Sequence, residues 1–129
     1  MLPARDLAYL HDCGQRYDVL ADNGFVCLVL REYQLPEGYT PTTTDVLIRL
    51  PPGFPDAAPD MWWCSPAVRL AATGAYPVAG DAMESMLGQT WQRFSRHLPP
   101  GVWRPGQDSL ATYVSLIRAD FVRSVGGRP

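Results

Sequence analysis

Apolar and polar positions alternate through the first half of the chain as strands require, and recur at helical spacing only near its two ends. Pro3 can open a helix at no cost in lost N–H bonds, Leu7 and Leu10 then share one face, and Gly14 supplies the stop. Residues 17–21 and 25–31 are β-prone runs separated by Asp22, Asn23 and Gly24, and the Asn-Gly pair favours a tight hairpin turn. After the turn-rich connector LPEGYTP (35–41), residues 43–50 place Val46, Ile48 and Leu50 on one face of a third strand. Pro51, Pro52, Pro55 and Pro59 cannot donate to a strand ladder, so PPGFPDAAP reads as a rigid surface crossing. The short apolar run 61–64 then completes a four-stranded antiparallel meander.

Residues 65–88 are punctuated by Pro66, Gly74, Pro77 and Gly80 and read mostly as loop, with one or two helical turns over 81–87. Leu110, Val114, Ile117 and Phe121 recur at i, i+4, i+7 and i+11, the stripe of an amphipathic helix, with Arg118 and Arg123 away from it. Asp108 or Ser109 can cap its start, and Gly126 and Gly127 end it. The plan is α+β: N-terminal helix, four-stranded antiparallel meander, a long loop carrying the site, and a C-terminal helix. No repeat and no linker interrupts residues 1–129, which are expected to form one domain, as 129 residues suffice to bury a core.

Composition narrows the class of partner. A formal net charge of −2 without a basic cluster gives no electrostatic footprint for nucleic acid or an anionic membrane, so neither is expected as a partner. No long apolar run or leader opens the chain, and an intracellular, cytoplasmic protein is expected. Cys13, Cys27 and Cys64 are odd in number and widely spaced, which suits reduced thiols buried as packing better than disulfides. With His11 and His97 far apart, no Cys or His pair has zinc spacing, and no metal or cofactor is expected. All eleven basic residues are arginine. Arginine-favouring codons explain this; so does the avoidance of amine acceptors by a protein that carries an activated acyl group.

The stretch WQRFSRHLPPGVWRPGQDSL (91–110) concentrates the candidate chemistry. Ser95 and His97 sit two apart, upstream of Pro99, Pro100 and Gly101, which argue against a continuing helix. In extended chain, side chains at i and i+2 point to the same side, so the two can be neighbours. A serine hydroxyl is a weak nucleophile unless a base takes its proton, and an imidazole is suited to that task near neutral pH. Such assistance is typically worth roughly 10² to 10⁴ in rate. The alternative stays open that Ser95 is a turn residue and His97 packs against Trp91 or Trp103. Arg93, Arg96 and Arg104 flank the pair and can hold a partner's acidic tail or carboxyl oxygen, or stand in solvent. Trp62, Trp63, Trp91 and Trp103 are expected to fill the core or line a cleft.

This order of elements, with LPPGFPDAAPDMWW and WRPGQDSL, resembles the ubiquitin-conjugating enzyme fold, the first segment its proline-rich stretch after the third strand and the second its W-x-P opening to the next helix. WQRF-SRH, the GYTP turn and WRPGQD together are most similar to the bacterial branch called prokaryotic conjugating-enzyme family E. The resemblance implies a ubiquitin-like modifier and an activating enzyme as partners. It also implies a nucleophile eight residues before Trp103, where this chain has Ser95 and the family has cysteine. The family's His-Pro-Asn tripeptide corresponds to Ser85, Met86 and Leu87, so no oxyanion donor is identified by sequence, although a backbone N–H of residues 95–98 can serve. The expected function is therefore acyl transfer through an oxyester on Ser95 assisted by His97, with Arg93, Arg96, Trp103 and Arg104 toward the modifier or partner. A docking module without chemistry and a Ser/His hydrolase are the alternatives; the hydrolase lacks a Gly-x-Ser-x-Gly elbow and an assignable acidic third member.

Overall fold

The computed structural model describes residues 2–126. Helix α1 (Ala4–Asp12) is followed by strands β1 (Tyr17–Asp22), β2 (Phe25–Gln34), β3 (Tyr39–Thr40), β4 (Thr43–Leu50), β5 (Trp62–Ser65), β6 (Arg69–Leu70), β7 (Ala82–Met86) and β8 (Gln89–Phe94), and then by helix α2 (Leu110–Val125). Six strands form one antiparallel sheet in the order β1-β2-β4-β5-β8-β7, while β3 and β6 pair separately. The α+β plan and the four-strand meander thus match expectation. The sheet is larger than the sequence suggests, because residues 82–86 are a strand and not helical turns. A two-residue turn, Leu87 (φ 53°) and Gly88 (φ 74°), makes β7 and β8 a hairpin like that at Asn23 (φ 53°) and Gly24 (φ 84°). Both central residues of such a turn need positive φ, which leucine rarely adopts, so the Leu-Gly pair gave little warning.

That hairpin explains why the central strands are buried on both faces. Leu28, Leu30, Val46, Ile48, Trp62, Cys64 and Phe94 pack toward the helices with Leu10, Leu110, Ile117 and Phe121. Cys27, Val29, Leu47 and Trp63 point the other way and are covered by Met86 and Trp91 of the β7–β8 hairpin. The two hairpin tips meet where the Leu87 N–H donates to Asp22 Oδ2 (3.2 Å). The four α2 stripe residues are all buried as expected. Ser109 is its N-cap, with its N–H donating to Thr112 Oγ1 (3.2 Å); Asp108 instead accepts from the Arg104 N–H (2.7 Å). Gly126 is the C-cap, and Gly127 lies outside the described residues.

Two local expectations change. In α1 the buried residues are Asp6 and Leu10, and Leu7 is exposed, because the helix turns its Asp6 face to α2: the Leu110 N–H donates to Asp6 Oδ1 (3.2 Å). Asp6 thereby accepts one of the otherwise unpaired N–H groups at the start of α2, which offsets part of the cost of burying its carboxyl. Cys27 and Cys64 are buried as expected, whereas Cys13, the C-cap of α1, is exposed because the helix ends there in solvent.

Candidate functional site

Strand β8 ends at Phe94, and residues 95–99 run on as irregular chain along the start of the β5 strand. The Ser95 N–H donates to Ala79 O (3.2 Å), and Arg96 O accepts from the Met61 N–H (3.1 Å), so the segment is held from both sides. It forms one wall of a cavity of about 300 Å³ lined also by Trp62 of β5 and by Tyr113, Leu116 and Asp120 of α2. The Tyr113 hydroxyl donates to Met61 O (2.8 Å); burial first, and the nearby Asp60 charge second, push its pKa up, so this phenol stays a donor.

Ser95 and His97 both line this cavity, but no hydrogen bond joins them. The Ser95 hydroxyl accepts instead from Arg93 Nε (3.1 Å). Arg93 is itself fixed by Glu84 Oε1 (3.1 Å), which also accepts from Trp63 Nε1 (3.2 Å). A guanidinium donating to a serine oxygen favours the ionised oxygen and leaves the hydroxyl proton available to a base. His97 Nδ1 lies 2.7 Å from Asp60 Oδ1, a partner that distance along the chain concealed. Trp91, suggested by sequence as a packing partner for His97, lies on the far side of the sheet, its Nε1 donating to Met86 O (2.9 Å).

The remaining candidates occupy distinct settings. Arg96 points inward: its Nε donates to Asp120 Oδ2 (2.8 Å) and its Nη2 to Ser124 Oγ (3.4 Å). Trp103 donates from Nε1 to Pro55 O (2.8 Å) and meets Tyr113 edge-on, pinning the proline crossing against the site. Arg104 is exposed, and its guanidinium has no hydrogen bond or ion pair among the described residues. Of the amides in 95–98, those of Ser95 and Arg96 are consumed by Ala79 O and Phe94 O, leaving the His97 and Leu98 N–H groups without a protein acceptor among the described residues.

Among the described residues no group of three or more His, Cys, Asp or Glu is arranged to hold a metal ion, and no helix is long and apolar enough to cross a membrane. A family model described as prokaryotic E2 family E matches residues 2–123. Comparison with curated proteins and with solved structures gave no significant match.

Proposed function

Because the chain belongs to prokaryotic E2 family E, and so has a conjugating-enzyme-like role that brings it to a modifier and an activating enzyme, we propose that its single domain, working in the cytoplasm, carries the modifier as an oxyester on Ser95. The observation that carries this reading is the place of Ser95: eight residues before Trp103, on a cavity wall, with its oxygen turned to Arg93. In the loading step Ser95 Oγ attacks the C-terminal carbonyl carbon of a modifier held as a thioester by the activating enzyme. The C–O bond forms and the C–S bond breaks, while His97 takes the hydroxyl proton and returns it to the leaving sulfur. In the second step an amine attacks the ester carbonyl, the C–N bond forms, the C–O bond breaks, and the amine's proton passes through His97 to Ser95. The free amides of His97 and Leu98 are the donors available to the oxyanion. Arg104 is the exposed cation for the modifier's acidic groups, whereas Arg93 and Arg96 act through the site's own structure.

Incubation with activating enzyme, modifier and ATP should give a covalent adduct that survives thiol, yields to alkali and is lost in Ser95→Ala. Failure to form any Ser95-dependent adduct counts against the reading. The absent Ser95–His97 hydrogen bond and a cavity lining without cysteine favour a second reading, a docking module that presents the modifier without bonding to it. Ser95→Ala then leaves partner binding and cellular function intact.

A further inference from the structure

Asp60 and His97 are 37 positions apart, yet the backbone holds them opposite each other. Asp60 directly follows the proline crossing, and the next residue, Met61, stands in the left-handed region (φ 62°). A long side chain there costs about 1 kcal/mol or more. The surroundings fix it: the Met61 N–H donates to Arg96 O (3.1 Å), and Met61 O accepts from the Tyr113 hydroxyl (2.8 Å). Residues 61 and 96 are thus pinned together, and their neighbours 60 and 97 meet as a consequence. Trp103, bonded to Pro55 O, holds the middle of that crossing.

The 2.7 Å contact between His97 Nδ1 and Asp60 Oδ1 has a chemical direction. A carboxylate can only accept, so Nδ1 must carry hydrogen. The neutral imidazole then has its lone pair on Nε2, the nitrogen pointing away from Asp60. We infer that Asp60 is a positioning residue that selects the Nδ1–H tautomer of His97 and aims Nε2 as the base for Ser95, an inference that rests on the acyl-carrier reading. Both side chains are well exposed, at 63% and 59%, so the pair contributes little to folding, and its value lies in orientation. It also supplies the acidic third member that sequence could not assign.

The test combines a spectroscopic signature with kinetics. Long-range proton–nitrogen NMR of the whole chain, recorded at about pH 8.5 where imidazoles are neutral, identifies which His97 nitrogen is protonated, and His11→Gln assigns the second histidine. In the wild type Nδ1 should carry the proton. In Asp60→Asn, which can offer Nδ1 a donor in place of an acceptor, the population should move toward Nε2–H. The rate of Ser95 loading should fall by about 10-fold or more, within the roughly 10²-fold minimum of full base assistance. Asp60→Glu, which keeps the acceptor, should recover part of the rate. A wild-type His97 protonated on Nε2, an unchanged tautomer in Asp60→Asn, or a loading loss under about twofold overturns the inference. Absence of any Ser95-dependent adduct from the wild-type chain overturns the acyl-carrier reading and the base role with it. The NMR result still decides whether Asp60 holds the ring.

Discussion

Replacing Asp120 by alanine tests whether the segment after Ser95 is anchored by a buried charge. Arg96 and Asp120 keep only 13% and 7% of their side-chain exposure, and their atoms lie 2.8 Å apart. Asp120 also accepts from Ser124 Oγ (3.2 Å), so its carboxylate is well satisfied in the wild type. Asp120→Ala strands the guanidinium with Ser124 as its remaining side-chain hydrogen-bond partner among the described residues. Removing one partner of a buried ion pair costs about 3–5 kcal/mol, because the other charge is left without compensation. The residual exposure of Arg96 places this pair at the lower end, about 3 kcal/mol, or roughly 10 °C in Tm for a chain of this size. Urea unfolding followed by tryptophan fluorescence reads this as a lower midpoint at constant m-value. The double replacement Arg96→Met with Asp120→Leu, which removes both charges, should regain most of the loss. A cost under about 1 kcal/mol, the level of an exposed pair, or a double variant no better than the sum of the singles, refutes the reasoning.

Two further outcomes follow from the site and from α1. Ser95→Cys should convert the adduct to a thiol-sensitive thioester, and His97→Ala should slow loading sharply on serine but only mildly on cysteine, since a thiolate forms with little help; equal sensitivity in a double-mutant cycle on the loading rate removes the base role. Burial pushes the Asp6 carboxyl pKa up, the Leu110 N–H only partly opposing it, so the uncharged acid favours the fold. Asp6 then contributes its stability fully below its unfolded pKa of about 3.9 and loses it as pH rises through the folded value. Stability measured against Asp6→Asn should therefore rise from pH 7 toward pH 4, and a difference that is flat or falls contradicts the burial argument.

What could be read from the chain was whatever depends on near neighbours. The Asn23–Gly24 turn, the alternation in β4 and the α2 stripe are local patterns, and each appears where its period places it. The β7–β8 hairpin was hidden because Ala82, Met83, Met86 and Leu87 also fit helical spacing, and because leucine replaces the usual Asn, Asp or Gly in its turn. Periodicity ranks leucine above aspartate for burial and so places Leu7 inside, whereas the Leu110 N–H gives Asp6 a hydrogen-bond partner there. At the site, the i, i+2 spacing in extended chain lets Ser95 and His97 be neighbours, and in the structure both line one cavity. The sequence could not tell that Arg93 takes the serine and Asp60 the histidine, because tertiary pairing alone makes those choices.

The two-residue turn at Leu87 and Gly88 also sets a parity. Counting from it along β8, Trp91 and Arg93 fall on the hairpin side of the sheet and Phe94 on the helix side, and the Ser95 hydroxyl inherits its guanidinium from that count. Strand side chains repeat every two residues, so lengthening β8 by one residue exchanges its faces, while lengthening it by two restores them. The equipment around residue 95 is thus fixed by an odd-or-even rule that begins at a turn several residues upstream.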